Sequence, residues 1–112
     1  MTGWSPPDLA CWGGRPVVRR CRDLAPRCRA VLDGVIEAVG CTEGDGMAVL
    51  DAVLDDGTGR VVLRWWGRRS VAGVVVGTAL RAEGTVAAVH GRLVIVNPLT
   101  ELARRGPGPG RR

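Results

Sequence analysis

Residues 49–67 read VLDAVLDDGTGRVVLRWWG, and this stretch decides the fold of the chain. Two runs of apolar and β-branched residues flank the four residues 56–59, which is the pattern of a β-hairpin. If Asp55 lies opposite Arg60, one face of the hairpin is entirely apolar. Its cross-strand pairs are Leu54 with Val61, Ala52 with Leu63 and Leu50 with Trp65. We therefore expect this face to be buried in a core.

The opposite face of the same hairpin is mixed. It pairs Val53 with Val62, Asp51 with Arg64 and Val49 with Trp66. Cross-strand neighbours lie ~5 Å apart, so Asp51 and Arg64 are predicted to form an ion pair. Because successive side chains of a strand point to opposite sides, Trp65 is predicted in the core and Trp66 outside. The second face is then open to solvent or to a ligand.

The rest of the body also has β-strand patterns. The five predicted strands are about Arg29–Val39, Met47–Asp55, Arg60–Trp66, Ala79–His90 and Arg92–Asn97. Gly34 and Gly84 interrupt the first and fourth strands and predict bends or bulges there. Residues 40–46 are predicted to be a polar loop, and residues 67–78 a connection with room for a short helix or helical turn. Residues 99–102 are predicted to form a short cap.

Five strands, with bends in the first and fourth and an interruption after the third, fit an OB-fold barrel. Three further runs extend the pattern of residues 49–67: RCRDLAPRCRAVLDG (20–34), GTALRAEGTV (77–86) and GRLVIVNP (91–98). Together they resemble OB-fold nucleic-acid-binding domains, in particular small stand-alone actinobacterial OB-fold proteins and the wedge domain of RecG-type helicases. The resemblance covers about residues 20–102. It departs at Thr100, where these domains often carry an aromatic residue.

The predicted fold class is all-β, a five-stranded Greek-key OB-fold barrel over residues 28–102. Residues 1–27 are rich in Pro and Gly without a sustained period, and are predicted to form an irregular N-terminal arm. Residues 103–112 contain only Ala, Arg, Gly and Pro, and are predicted to be a disordered basic tail.

Composition excludes several kinds of enzyme. The 112 residues include sixteen Arg but no Lys and no Tyr, which excludes a P-loop lysine, a Schiff-base lysine and a phenolic acid or base. One His and two Ser leave little material for a catalytic triad. We therefore predict a protein that is not an enzyme and needs no cofactor.

The four cysteines, at positions 11, 21, 28 and 41, lack the close pairing of a structural zinc site. They are interpreted as reduced thiols, and no metal site is predicted. The N-terminus has neither a basic nor an apolar segment typical of a secretory signal, and no apolar run is long enough to span a bilayer. A cytoplasmic location is expected.

The formal net charge of +5 is unevenly distributed. Residues 30–98 contain six arginines and eight acidic residues, whereas the remaining ten arginines lie in the two flanking segments with three acidic residues. Affinity for nucleic acid depends on how many phosphates are neutralised. If the protein binds nucleic acid, the terminal arginines are predicted to supply much of the affinity.

The resemblance implies a binding face on the second and third predicted strands, flanked by the loop between the first two strands and the loop between the last two. It offers Trp66 as the residue that stacks on a base. The residues implied for phosphate and backbone contacts are Arg60, Arg64, Arg68, Arg69, His90 and Arg92.

Simpler roles remain open for each of these residues. Arg64 can serve only to neutralise Asp51. Trp66 can pack under the 67–78 connection or against the arm, since large aromatic side chains favour burial. His90 can be an ordinary surface histidine, and Arg68 with Arg69 a solvated pair of charges.

The predicted function is non-enzymatic binding of single-stranded nucleic acid, DNA in preference to RNA, by aromatic stacking and arginine–phosphate contacts. A protein partner in repair or recombination is a further expectation, and no membrane partner is expected. The alternative is a module for protein interaction or assembly, because an OB-fold does not specify one function.

Overall fold

A computed structural model describes residues 17–102, which are almost entirely strands and turns. Residues 1–16 of the predicted arm and the predicted tail, 103–112, lie outside the described residues. A 3-10 turn spans Cys21–Asp23. The strands are β1 (Val17–Val18), β2 (Arg29–Gly44), β3 (Met47–Asp55), β4 (Arg60–Trp66), β5 (Ala79–Val89), β6 (Arg92–Val96) and β7 (Leu99–Leu102).

Five of these strands close into a ring. The order is β2–β3–β4–β6–β5, and β5 pairs again with β2. All pairs in the ring are antiparallel except β4 with β6, which is parallel. Outside the ring, β1 pairs with β2 and β7 pairs with β5. The predicted all-β OB-fold barrel is confirmed.

The predicted register of the β3–β4 hairpin is also confirmed. Asp55 lies opposite Arg60 and Val49 lies opposite Trp66. Trp65 is 5% exposed and belongs to the core, whereas Trp66 is 48% exposed. The turn length sets this register, and a shift of one residue would exchange the two faces.

Gly34 and Gly84 allow close approaches that a side chain would prevent. A Cβ atom at Gly34 would lie 2.6 Å from the carbonyl oxygen of Asp55, and one at Gly84 would lie 2.5 Å from Cγ2 of Ile95. A register shift between Ile36 and Ala38 further bends β2. These features let β2 pair with β5 through its first half and with β3 through its second half.

The predicted polar loop over residues 40–46 is wrong. Strand β2 continues to Gly44, which pairs with Met47, so that only Asp45 and Gly46 form the turn. Both have positive φ, 54° and 77°, as a two-residue type I′ hairpin turn requires. Asp-Gly is a strong signal for such a turn, and the surrounding polar residues concealed it in the sequence.

Two other connections differ in detail from the expectation. Residues 99–102 form strand β7, paired with Leu80–Glu83, instead of a cap. The 67–78 connection consists of turns, one closed by the Val74 N–H donating to the carbonyl of Val71 at 3.0 Å. Val74 is 5% exposed and joins the core cluster, so this connection closes part of the barrel without an α-helix in it.

Candidate nucleic-acid interface

Trp66 lies at the end of β4 on the outer face of the barrel, among other apolar side chains. Val49 is its cross-strand partner, and Met47 follows on the same face of β3 with 46% exposure. Val96, 37% exposed, lies on the same face of β6 opposite Arg64. We call Met47, Val49, Trp66 and Val96 the Trp66 patch. The sequence predicted Val49 beside Trp66, but not Met47 or Val96.

Hydrogen bonds hold the backbone around Trp66 to β3 on one side and to the end of β6 on the other. The N–H of Trp66 donates to Oδ1 of Asn97 at 3.2 Å, and the N–H of Asn97 donates to the carbonyl of Arg64 at 2.6 Å. The N–H of Gly67 donates to the carbonyl of Ala48 at 2.7 Å. Asn97 has φ of 50°, a conformation that Asn tolerates better than most residues. The Asn-Pro ending of β6 therefore holds the strand that carries Trp66.

Arg64 forms the predicted ion pair with Asp51. Its Nε and Nη2 donate to the two carboxylate oxygens at 2.8 and 3.0 Å, which is a bidentate arrangement. The hydrogen bond to Asp51 raises the pKa of the Arg64 guanidinium. The pair lies beside the Trp66 patch, and Asp51 satisfies much of the hydrogen-bonding capacity of this arginine.

Two more predicted phosphate ligands are paired with carboxylates. Arg60 donates through Nε to both oxygens of Glu37, at 2.7 and 3.0 Å, and this hydrogen bond raises the pKa of Arg60. Arg69 pairs with Glu43. The sequence showed no acidic residue close to Arg69, but the extended β2–β3 hairpin brings Glu43 to it. Within residues 17–102, neither Arg68 nor Arg92 forms an ion pair.

A groove lies at the other end of the outer face of β4, beside the β5–β6 turn. Its volume is about 440 Å³, and Glu37, Arg60 and Arg92 line it. The turn itself consists of His90 and Gly91, both with positive φ. His90 is exposed and does not line the groove. We call this the Glu37 groove.

The predicted site residues therefore fall into two groups along one face. Trp66 and Arg64 lie at the end nearer the β2–β3 turn, with Arg68 and Arg69 following Trp66 in the chain. Arg60 and Arg92 lie at the Glu37 groove. Trp66 is six residues after Arg60 along β4, a distance of ~20 Å at about 3.3 Å per residue. This length matches the span of several nucleotides of a single strand, and the face lies between the β2–β3 and β5–β6 turns that OB-folds use for oligonucleotides.

The Asp56–Gly59 turn, in contrast, has a structural role. Oδ1 of Asp56 accepts hydrogen bonds from the N–H groups of Thr58 and Gly59 and from the Thr58 hydroxyl, at 2.9, 3.2 and 2.7 Å. Its Oδ2 accepts one from the N–H of Cys21 at 2.8 Å. Partial burial acts to raise the pKa of Asp56, but the hydrogen bonds from Cys21 and Thr58 outweigh it and lower the pKa to about 2.

The described cysteines show no arrangement for metal or redox chemistry. Burial, followed by the charge of Asp56, raises the pKa of Cys21 to about 12, which leaves it an unreactive thiol. Cys28 is buried and Cys41 exposed, and Cys11 lies outside the described residues. In the described part of the chain, no three His, Cys, Asp or Glu side chains are grouped as metal ligands.

No helix within residues 17–102 is long and apolar enough to cross a membrane.

The strand order, the parallel β4–β6 pair and the bent β2 define an OB-fold domain. No protein-family model and no curated protein matches the chain. Among solved structures, RecG bound to a three-way DNA junction is similar, with a TM-score of 0.69 and 26% identity over 80% of this chain. The matched part is 13% of the length of RecG. The expected resemblance to a domain of RecG is confirmed.

Two replication protein A structures are also similar. The second OB-fold domain of the protein from Methanococcus maripaludis has a TM-score of 0.64 and 17% identity, with 80% of this chain and 98% of that domain covered. A replication protein A heterotrimer bound to single-stranded DNA has a TM-score of 0.56 and 13% identity, with 88% of this chain and 76% of that chain covered. These two similarities establish the shared fold.

Proposed function

We propose that this OB-fold domain binds single-stranded DNA, without catalysis, along the outer face of β3 and β4. The observation that carries the proposal is the half-exposed Trp66 at the end of β4, which shares its outer face with Met47, Val49 and Val96 and donates its backbone N–H to Asn97. Stacking of a base on an exposed aromatic ring contributes ~1–3 kcal/mol and does not depend on the base. Because the backbone of Trp66 is held by hydrogen bonds, the position of the strand need not change when a base stacks on the ring.

Phosphate contacts come from two kinds of arginine. Arg68 and Arg92 form no ion pair among the described residues and can neutralise phosphate directly. Arg60, Arg64 and Arg69 must exchange a carboxylate for a phosphate, so each contributes less than an unpaired arginine. We also propose that the arginines of the flanking segments add affinity. Half of these ten arginines lie outside the described residues, at positions 15, 104, 105, 111 and 112.

We propose DNA rather than RNA as the ligand because two of the structures that share the fold contain DNA. The RecG structure contains a DNA junction, and the replication protein A heterotrimer is bound to single-stranded DNA. We also propose a role in DNA repair or recombination, in the cytoplasm and together with a protein partner.

Direct titration tests the proposal. Fluorescently labelled oligo-dT, oligo-rU and a duplex are titrated with protein, and anisotropy is measured at low and at physiological salt. We expect binding of oligo-dT in the range of ~10⁻⁴–10⁻⁶ M or tighter, weaker binding of oligo-rU and duplex, and a loss of affinity with salt. No binding of oligo-dT at low salt with about 10 µM protein would contradict the proposal.

A protein-interaction role is the second candidate, and a different surface favours it. Leu99 and Leu102 on β7 are 68% and 66% exposed, and Val75 and Val76 in the 67–78 connection are 58% and 65% exposed. Gly73 and Leu102 are close, at 3.3 Å from a Cβ position on Gly73 to Cδ2 of Leu102, so β7 and this connection are adjacent. Exposed apolar patches of this kind often mark protein contacts. The test is whether the protein binds a partner protein after nuclease treatment, or self-associates. Loss of that interaction in Leu99→Ser would support this role.

A further inference from the structure

The Glu37 groove combines a carboxylate and two guanidinium groups above apolar walls. Its lining includes the charged residues Glu37, Arg60 and Arg92 and the apolar residues Val53 and Val62. Its volume of about 440 Å³ exceeds that of one nucleobase. Two of its polar groups are already held in place, because Nε of Arg60 donates to both oxygens of Glu37 at 2.7 and 3.0 Å.

The carboxylate of Glu37 still has acceptor capacity. An ionised carboxylate offers about four lone-pair sites, and Arg60 occupies two of them. The side chain of Glu37 is 40% exposed, so a ligand in the groove can reach the remaining sites. Arg92 lines the same groove and forms no ion pair among the described residues, so its guanidinium can donate to an acceptor on that ligand.

Position also indicates a nucleobase. The Glu37 groove and the Trp66 patch lie at opposite ends of the outer face of β4, ~20 Å apart along the strand. A single strand that stacks on Trp66 and follows β4 would therefore place a later nucleotide at the groove. The side chains of Val53 and Val62, which are cross-strand partners on the outer face, provide apolar contacts for the face of a base, and Gly91 leaves space beside it.

Of the four bases, guanine matches these groups best. Its Watson–Crick edge has two adjacent donors, N1–H and the N2 amino group, which fit the two oxygens of one carboxylate. Its O6 and N7 are acceptors, and arginine is their usual partner. Thymine offers one N–H donor, and cytosine and adenine offer one amino group each, so none of them satisfies both carboxylate oxygens.

We infer that the Glu37 groove is a guanine-selective subsite, with Glu37 accepting from N1–H and the N2 amino group and Arg92 donating to O6 and N7. This inference rests on the proposed binding of single-stranded DNA and adds a base preference at one position. Trp66 then provides affinity without base selection, and Glu37 provides selection. The two ends of the face differ in function because their chemistry differs.

The test compares oligo-dT of about twelve nucleotides, within the ~4–16 nucleotides that an OB-fold covers, with versions carrying isolated dG, dA or dC at regular intervals. Anisotropy competition gives the four affinities. We expect about tenfold tighter binding of the dG version, the discrimination of one bidentate contact to a base. Glu37→Gln should abolish this preference, which is measured within the variant as the ratio of its affinities for the dG version and for oligo-dT.

Asp33→Asn is the matched control. Asp33 forms a similar exposed ion pair with Arg81, at 2.8 Å, on a different part of the barrel. This variant makes the same change in charge and should keep the dG preference. Equal affinity for all four oligonucleotides, a preference for another base, or a dG preference that survives Glu37→Gln would each overturn the inference and leave DNA binding intact. Failure of every oligonucleotide to bind would overturn the proposed function and the inference with it.

Discussion

The carboxylate of Asp56 accepts a hydrogen bond from the backbone N–H of Cys21 at 2.8 Å, and this contact joins the β3–β4 turn to the segment before β2. The N–H of Arg22 donates to the Thr58 hydroxyl at 3.2 Å beside it. Gly59 lies against Cys21, with 3.3 Å from a Cβ position on Gly59 to Cβ of Cys21. The Asp-Gly-Thr-Gly turn therefore holds the segment at Cys21 against the barrel through two hydrogen bonds and a close backbone contact.

Replacing Asp56 should destabilise the fold. Asp56→Ala removes the acceptor for the Cys21, Thr58 and Gly59 N–H groups, and should lower the free energy of unfolding by about 1–3 kcal/mol. Urea unfolding followed by tryptophan fluorescence measures the change. Asp45→Asn in the β2–β3 turn is the control, because Asn tolerates positive φ and that turn makes no contact of this kind. Equal stability of wild type and Asp56→Ala would contradict the assigned role.

The low pKa of Asp56 gives the stability a dependence on pH. The folded-state pKa of about 2 lies below the usual aspartate pKa of 3.8, so ionised Asp56 contributes its full stabilisation above about pH 4. This contribution, about 1 kcal/mol after allowance for solvent screening, should disappear as pH falls from about 4 to about 2. Urea unfolding at pH 5 and pH 2 should show the loss in wild type and a smaller loss in Asp56→Asn. An identical pH profile of both proteins would show that Asp56 does not titrate in this range.

The two adjacent tryptophans should respond in opposite ways to substitution. Trp66→Ala should weaken binding of oligo-dT by ~1–3 kcal/mol, with little change in the salt dependence, because it removes stacking and no charge. Trp65→Ala should instead lower the free energy of unfolding by ~3–5 kcal/mol, because Trp65 is 5% exposed in the core. Titration and urea unfolding of both variants separate the effects. Unchanged oligo-dT affinity of Trp66→Ala would remove Trp66 from the proposed site.

Arg92 should contribute to the salt dependence of binding, and Arg81 should not. In oligo-dT, where no guanine occupies the Glu37 groove, Arg92 can contact a phosphate, so Arg92→Ala should weaken binding and reduce the slope of log K against log salt concentration by about 1. Arg81→Ala makes the same change in charge on β5, where Arg81 pairs with Asp33. The affinity at several salt concentrations measures both slopes. A similar effect of the two variants would indicate that only net charge matters.

Two glycines of β2 should differ sharply when changed to alanine. Gly34→Ala should lower the free energy of unfolding by about 1–3 kcal/mol, because its Cβ would lie 2.6 Å from the Asp55 carbonyl oxygen. Gly40→Ala should be neutral or stabilising by up to about 1 kcal/mol, because nothing lies within 4 Å and its φ is not positive. Denaturation midpoints measure both changes. Equal midpoints for the two variants would mean that β2 does not need the close approach at Gly34.

Much of the fold could be predicted because its determinants are local. The length of the 56–59 turn, together with the alternation of apolar side chains, predicts the pairing of β3 with β4 and the opposite directions of Trp65 and Trp66. The Asp51–Arg64 ion pair follows from the same register. The two-residue turn at Asp45–Gly46 also has a local signal, the Asp-Gly pair. Because the neighbouring residues are polar, the sequence pattern favours a loop over residues 40–46, and the signal is missed.

The amino-acid sequence alone was enough to predict the central hairpin, the residues on its outer face and the approximate positions of the five barrel strands. Which charges on that face remain unpaired depends on the tertiary structure. Ring closure brings Glu37 to Arg60 across 23 residues and Cys21 to Asp56 across 35 residues. The longer β2–β3 hairpin likewise brings Glu43 to Arg69. Such pairs depend on strand order, barrel curvature and the β2 bulge, which act over distances that neither local spacing nor side-chain alternation encodes.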